Sequence, residues 1–218
     1  MDDQRKRAAV LDRRPGELRS IGLALDEIAA GRPAIVHGCT SGDGGLVFAA
    51  SRADVELTAL AVRHSSGFLC VALPRGRCDA LVLPPMSPRL QEHQGATVCV
   101  TVDASTGVST GISASDRART ARVLADPDAG PADFTRPGHV VPVAVGDAGV
   151  LGNAGLAESA FDLVGLAGMP PVAVFAHLVS PADPTRMATD DELRGFAASE
   201  HIAAVSVPEI AAARRSAR

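Results

Sequence analysis

A run of glycine, serine and threonine residues leads into a basic helical pattern in the middle of the chain. Residues 107–122 read Gly-Val-Ser-Thr-Gly-Ile-Ser-Ala-Ser-Asp-Arg-Ala-Arg-Thr-Ala-Arg. A turn of this composition offers backbone N–H groups, hydroxyl donors and the positive end of a helix dipole, which together bind anions such as phosphate. Ser109, Thr110 and Ser113 are therefore candidate ligands of a phosphorylated substrate, although a serine-capped helix without any ligand gives the same pattern.

Several further blocks share their order and spacing with one enzyme family. They are Arg63–Leu73, Arg77–Asp79, Leu83–Met86, Thr101–Ala104, Gly107–Arg119 and Arg136–Val140. With these blocks the chain resembles the 3,4-dihydroxy-2-butanone-4-phosphate synthase family over roughly residues 20–215. The resemblance implies Mg²⁺-dependent conversion of ribulose 5-phosphate to a four-carbon ketone phosphate and formate, for riboflavin synthesis. It also implies a homodimer, because the family builds each site from two subunits.

The loop after the first predicted strand departs from the family pattern. The family carries a run of the type Asp-Asp-Glu-Asp-Arg-Glu-Asn-Glu-Gly-Asp there, and its carboxylates bind metal and transfer protons. This chain has His37-Gly38-Cys39-Thr40-Ser41-Gly42-Asp43-Gly44-Gly45 instead. By the resemblance, Ser41 stands where the family has a metal-binding Glu, and only Asp43 remains as a carboxylate.

A second departure lies at Asn153–Glu158, which aligns with the family motif Arg-x-Gly-His-Thr-Glu. Leu156 stands in place of the metal-binding His, and Asn153 in place of the Arg that helps to hold substrate. Glu158 is kept. The catalytic Glu of a late strand corresponds to His177.

These replacements remove the donors that Mg²⁺ prefers, because it binds oxygen ligands in octahedral geometry. A hydroxyl and a leucine cannot replace a carboxylate and an imidazole. The expectation is therefore that the ordinary family reaction is lost, with no cofactor, and with Mg²⁺ present only if the family site survives in altered form. Without carboxylates and metal, the pocket is expected to carry a net positive charge.

The candidate residues fall into two groups. The acid–base or nucleophilic candidates are Cys39, His37, His139, His177 and Asp43; the substrate-binding candidates are Ser109, Thr110, Ser113, Arg136, Asn153 and Glu158. The favoured interpretation of Cys39 is a small residue that fills the gap left by the lost carboxylates. Alternatively, Cys39 and His37, two residues apart at a strand end, share a face, and Cys39 is an activated thiolate with His37, His139 or His177 as its partner. A third interpretation is a transition-metal site formed by His37, Cys39, Asp43 and His177.

Three functions are compatible with this pattern. The leading one is a repurposed homologue that binds or transforms a phosphorylated sugar or similar small anion by metal-independent chemistry, in specialised metabolism. The second is a non-catalytic binding or scaffold protein. The third is a genuine synthase with relocated ligands.

Composition limits the partners and the compartment. The net charge of −4 gives no reason to expect nucleic acid, and no apolar stretch reaches the ~18 residues that a membrane span needs. The polar N-terminus lacks a signal-peptide pattern, so a cytoplasmic location is expected. The four cysteines are expected to be free thiols.

Strand and helix patterns alternate along the chain. Residues 1–15 read as a loose tail, and residues 16–218 as one α+β domain with a mixed sheet and helices on its faces. Helices are predicted at 17–30, 54–64, 113–125, 158–167, 190–199 and from Pro208; strands are predicted at 34–37, 46–50, 68–73, 97–103, 140–145, 172–179 and 203–207.

Overall fold

The structure is a computed structural model that describes residues 17–87 and 95–217, with side chains from residue 20 onwards. The predicted loose tail at residues 1–15 lies outside the described residues. Within them, no helix has both the length and the apolar character that a membrane crossing requires.

The elements alternate as the sequence patterns predict. The helices are α1 (Glu17–Ala29), α2 (Val55–His64), α3 (Arg75–Ala80), α4 (Ala114–Ala125), α5 (Leu156–Leu166), α6 (Asp190–Ser199) and α7 (Val207–Ser216). The strands are β1 (Ala34–His37), β2 (Gly45–Ala49), β3 (Cys70–Pro74), β4 (Thr97–Val98), β5 (Val102–Ala104), β6 (Phe134–Val145), β7 (Ala173–His177) and β8 (Ala203–Ser206).

The strands form one mixed sheet in the order β4-β6-β3-β7-β2-β1-β8, and β5 pairs with β6 away from this path. The pairs β1–β8 and β3–β6 are parallel, whereas β1–β2, β2–β7, β3–β7 and β4–β6 are antiparallel. The predicted α+β class with a mixed sheet is therefore confirmed.

Both faces of the sheet are buried, which explains why its strands read as continuous apolar runs. Ile35, Leu46 and Phe48 pack on one face with residues of α2, α4 and α6. Val36 and Val47 pack on the opposite face with residues of α1, α5 and α7. The sheet is thus the middle of three layers, and each strand contributes alternate side chains to two separate cores.

Two predicted elements differ from the structure. The strand predicted at 97–103 is divided into β4 and β5, and the ladder of β5 with β6 shifts register between Val102 and Asp103. β6 begins at Phe134, six residues before the strand predicted at 140–145, and this first half shows no apolar run because it alternates between exposed and half-buried residues. Helix α3 was not predicted, since it has only six residues and includes Gly76.

One end of the sheet collects most of the candidate residues. β1 ends at His37 and β7 ends at His177, while the antiparallel neighbour β2 begins at Gly45, directly opposite His177. β3 begins at Cys70 beside Phe175. The loop that joins β1 to β2 therefore lies at the same edge as the end of β7.

Candidate active site

The first histidine–carboxylate pair joins the β1–β2 loop to the end of β7. His177 Nε2 lies 3.2 Å from Asp43 Oδ2, and Ser41 Oγ donates a further hydrogen bond to Asp43. The bond from His177 and the bond from Ser41 lower the pKa of the Asp43 carboxyl against the effect of its burial, so Asp43 is ionised at neutral pH. The His177 side chain is one-third exposed. An ionised carboxylate that orients a partly exposed imidazole is an arrangement suited to general acid–base chemistry.

The second pair joins β5 to the first half of β6. His139 Nδ1 lies 2.7 Å from Asp103 Oδ2, and the backbone N–H of His139 donates to Asp103 Oδ1 at 2.9 Å. Gly111, at φ +84°, packs against both side chains: a Cβ there would lie 2.0 Å from Asp103 Oδ2. The Asp103 side chain is buried and that of His139 is 41% exposed, so the imidazole is held at Nδ1 by the carboxylate while part of the ring remains accessible to solvent.

The strand register brings the two pairs to the same end of the sheet. Cys70 of β3 pairs with Val141 of β6 on one side and with Phe175 of β7 on the other. His139 and His177 each lie two residues beyond these partners, towards the same end of the sheet.

The glycine- and serine-rich segment already holds an anion, and that anion is a side chain of the protein. The buried carboxylate of Asp116 accepts hydrogen bonds from Ser109 Oγ at 2.8 Å and from the Gly111 N–H at 3.0 Å. Ser113 caps α4 by accepting the Asp116 N–H. Ser109 and Ser113 are thus used within the fold, whereas Thr110 is exposed at the surface of the segment.

Arg136 also makes its hydrogen bonds within the protein. Its guanidinium donates to the backbone carbonyls of Pro131, Phe134 and Leu81 at 3.2, 3.1 and 2.7 Å. These bonds hold the turn before β6 against the end of α3. The expectation that Arg136 offers its charge to a substrate anion receives no support from this geometry.

Asn153 and Glu158 bind each other at the start of α5. The Glu158 carboxylate is buried, and its Oε1 accepts from Asn153 Nδ2 at 2.7 Å and from the Ala96 N–H at 2.8 Å. Leu156 is also buried and packs closely against Gly45 of β2. The position that the resemblance assigns to a metal-binding His is therefore filled by an apolar side chain in the core.

Cys39 and His37 lie on different sides of the sheet, which disfavours the activated pair of these two residues. Gly38, at φ +76°, turns the chain between them. Cys39 then packs in the apolar cluster of Val36, whereas His37 lies near Asp190 of α6, with Nδ1 3.7 Å from Oδ2.

Cys39 is poorly suited to act as a nucleophile. Burial, together with the charges of Asp43, Asp190 and Glu158, raises the pKa of the Cys39 thiol to about 12. The thiol is therefore protonated at neutral pH, and the thiolate is the reactive form. The same three carboxylates place negative charge around Cys39.

The residues present do not fit a magnesium ion. Ser41 offers one hydroxyl, which already binds Asp43, and Leu156 offers no donor. Throughout residues 17–87 and 95–217, no group of three or more His, Cys, Asp or Glu side chains is placed to hold a metal ion. The same finding disfavours the alternative transition-metal site, whose proposed ligand His37 lies on the α6 side of the sheet.

Two carboxylates of this region were not among the candidate residues. Asp103 lies in a block that carries the family resemblance, but its pairing with His139 depends on the β5–β6 bulge, which no sequence pattern marked. The position of Asp116 could have been found from the sequence. It stands three residues after Ser113, in the helix-start pattern that places a serine cap and a carboxylate together.

Known proteins match this chain over most of its length. The model of the family "3,4-dihydroxy-2-butanone 4-phosphate synthase" matches residues 23–213. The riboflavin biosynthesis protein RibBA of Rhodococcus jostii is 47% identical over 198 residues, covering 90% of this chain and 48% of that protein. RibBA of Salinispora arenicola is 46% identical, with 47% of its length covered. The chain thus spans about half the length of these relatives.

Solved structures agree with this assignment. The 3,4-dihydroxy-2-butanone 4-phosphate synthase of Candida albicans superposes with a TM-score of 0.80 at 34% identity, covering 88% of this chain and 95% of that one. A synthase of this name in complex with two magnesium ions gives a TM-score of 0.81 at 34% identity, with 88% and 94% covered. On its sequence and on its fold, this chain belongs to the 3,4-dihydroxy-2-butanone 4-phosphate synthase family.

Proposed function

We propose that this chain acts on a small phosphorylated sugar by general acid–base catalysis, without the magnesium chemistry of its family. The observation that carries the proposal is the pairing of His177 with Asp43 at the end of the sheet where His139 pairs with Asp103. Both imidazoles are partly exposed and both are oriented by a carboxylate. Such pairs suit the removal and return of a proton on the carbon next to a carbonyl group.

In this proposal His177 is the base. Asp43 holds the His177 ring through Nε2, which leaves Nδ1 as the atom that takes a proton from the substrate. The ionised Asp43 then stabilises the imidazolium that forms. The protonated ring returns the proton to the enediolate, either at the same carbon or at its neighbour. The result is proton exchange or isomerisation, with no loss of carbon.

Charge orients the substrate between the two pairs. The carboxylates around Cys39 repel a phosphate group, since like charges near a desolvated site cost several kcal/mol at an effective dielectric constant of about 20. We therefore place the phosphate towards the exposed hydroxyl of Thr110 and towards His139, and the carbonyl carbon towards His177.

The replaced catalytic residue supports a change of chemistry rather than a simple loss of function. His177 stands where the resemblance implies a catalytic Glu, and it binds Asp43, the carboxylate that remains in the β1–β2 loop. Random decay of the site would not be expected to produce a new hydrogen-bonded pair.

Proton exchange in heavy water tests the proposal. Ribulose 5-phosphate is incubated with the protein in D₂O, and ¹H NMR follows the signals of the carbons next to the carbonyl. The wild type should exchange these protons without releasing formate. His177→Asn and Asp43→Asn should each lower the exchange rate by roughly 10²-fold or more, within the usual contribution of one acid–base group.

His37→Asn is the matched control, because this imidazole lies on the α6 side and should leave exchange unchanged. Exchange that persists at full rate in His177→Asn contradicts the assigned base. Binding of the sugar phosphate with no exchange by the wild type would instead support the non-catalytic alternative.

A further inference from the structure

Arg117, in the first turn of α4, is a buried cation without a carboxylate partner. Only 5% of the residue is exposed. Throughout the part of the chain that the structure describes, no carboxylate oxygen lies within 4 Å of its guanidinium. Arginines are rarely buried to this extent unless they are paired, because an uncompensated charge in the interior loses its hydration. Arg117 therefore carries a positive charge that no adjacent carboxylate of the described chain neutralises.

The Arg117 guanidinium uses one of its three nitrogens as a hydrogen-bond donor. Nη1 donates to the Gly67 carbonyl at 2.8 Å. Nε is enclosed and donates to no atom of residues 17–87 and 95–217. Nη2 makes no hydrogen bond within those ranges either, and unlike Nε it is not enclosed. Buried donors without a partner are uncommon, so this guanidinium needs an explanation besides packing, and Nη2 is the donor that a ligand can reach.

The bond to Gly67 places this cation at the end of the sheet that carries the candidate active site. In the parallel pairing of β3 with β6, the Leu69 carbonyl accepts a ladder hydrogen bond at 3.1 Å. The next bond of such a ladder would join the His139 N–H to the Gly67 carbonyl. Instead, the His139 N–H donates to Asp103, and the Gly67 carbonyl accepts from Arg117. Arg117 and the Asp103–His139 pair thus complete the two strands where their ladder ends.

Asp103 leaves the Nη2 donor of Arg117 available. Its Oδ1 accepts the His139 N–H at 2.9 Å, and its Oδ2 lies 2.7 Å from His139 Nδ1. Both carboxylate oxygens are therefore directed to His139. Burial lowers the pKa of the Arg117 guanidinium, and the charge of Asp103 opposes this effect without a direct contact.

Two other arginines of this region already donate to the backbone. Arg136 donates to three carbonyls, and Arg119 donates to the Thr106 carbonyl. Arg117 is the arginine among these three whose outer nitrogen remains open. It also lies on the side of the site to which charge repulsion from the carboxylates around Cys39 directs a phosphate.

We propose that Arg117 binds the phosphate group of the substrate through Nη2, beside His139. This inference rests on the proposed function, because it names the cation that holds the phosphate of that sugar. A phosphate dianion would compensate the buried charge and accept a charge-assisted hydrogen bond. Attraction to Arg117 and repulsion from the carboxylates around Cys39 favour the same orientation of the sugar, with its carbonyl carbon towards His177.

Binding of inorganic phosphate to the full chain tests the inference without any turnover. ¹H–¹⁵N NMR follows the Arg117 Nε–H, assigned through the bonds of its own side chain, and phosphate should shift this signal in the wild type. Titrations followed on the His139 ring compare the variants. Arg117→Met should bind phosphate roughly 10-fold or more weakly, as expected for the loss of one hydrogen bond from a charged donor. Arg119→Met removes the same charge from the same helix, and as the matched control it should bind phosphate like the wild type.

A substrate without phosphate separates a binding role from a structural one. In the D₂O assay at low substrate concentration, Arg117→Met should exchange ribulose 5-phosphate roughly 10-fold or more slowly and leave exchange of ribulose unchanged. Arg117→Lys keeps the charge and should recover part of the loss. An equal loss with both sugars would overturn the inference.

The wild-type titration decides the matter even if a variant does not fold. An Arg117 Nε–H signal that stays in place at saturating phosphate would overturn the inference. Phosphate binding at Arg117 without proton exchange by the wild type would support the inference and contradict the proposed catalysis.

Discussion

Replacing Gly111 by alanine should disrupt the Asp103–His139 pair, and replacing Gly42 should not. Both glycines have a positive φ, +84° and +76° respectively. A Cβ at Gly111 would lie 2.0 Å from Asp103 Oδ2 and 2.6 Å from His139 Nδ1. A Cβ at Gly42 would meet nothing within 4 Å. The two variants share the same backbone strain and differ in steric overlap.

The magnitudes follow from these contacts. Alanine in the left-handed region costs roughly 1–2 kcal/mol, and this is the whole expected effect of Gly42→Ala. In Gly111→Ala the Asp103 carboxylate must also move by about 1 Å to reach an ordinary contact distance, which breaks its two hydrogen bonds to His139. At about 1 kcal/mol for each bond, the free energy of unfolding should fall by roughly 3–4 kcal/mol.

Urea unfolding of the two variants measures the difference, with ¹H–¹⁵N NMR of the imidazoles as a local probe. Gly111→Ala should shift the His139 ring signals, whereas Gly42→Ala should leave them in place. If Gly111→Ala is no less stable than Gly42→Ala, then Gly111 is not what fixes Asp103 and His139 in position.

Four further predictions concern the groups around the site. Asp116→Ala should free the donors of Ser109 and Gly111, so that sulfate stabilises this variant more than the wild type; equal stabilisation in matched ionic strength would contradict that assignment. Folding lowers the pKa of the Asp43 carboxyl from 3.8, so the contribution of Asp43 to stability is fully present above that pH and is lost as the pH falls through the folded pKa. Asp43→Asn should therefore remove this part of the acid dependence of urea unfolding. An unchanged pH profile in the variant would argue against the bond to His177. Cys39, with a pKa of about 12, should react with iodoacetamide at pH 8 far more slowly than a free cysteine; rapid alkylation of the folded protein would refute the protonated thiol. We propose a homodimer, in which the exposed apolar side chains Phe68, Val82, Met86 and Ile112 become buried, and a stable monomer in light scattering at micromolar concentration would contradict it.

The sequence patterns predicted the fold class and most elements, because each core strand and helix has a strong apolar periodicity. The exceptions have local causes. Within β5 the ladder with β6 shifts register between Val102 and Asp103, and this shift depends on pairing with β6 and not on local composition. Helix α3 is too short for a helical pattern to show, although it carries Cys78.

The candidate site was predicted less completely, because side-chain pairing depends on contacts between distant parts of the chain. Asp43 and His177 were both identified, but 134 residues separate them in the sequence, and their direct bond could not be inferred. The anion-binding pattern at residues 107–122 left open whether an external anion or a capped helix explained it. Asp116 supplies the anion from the first turn of the same helix.

Metal dependence of the reaction tests the central claim most directly. Ribulose 5-phosphate is incubated with the wild type in D₂O, once with Mg²⁺ and once with a chelator in excess, and ¹H NMR follows both proton exchange and formate. Our account predicts exchange at the same rate in both samples, with no formate in either. Formate that is released with Mg²⁺ and absent with the chelator would contradict it, and would show that this chain keeps the magnesium-dependent reaction of its family.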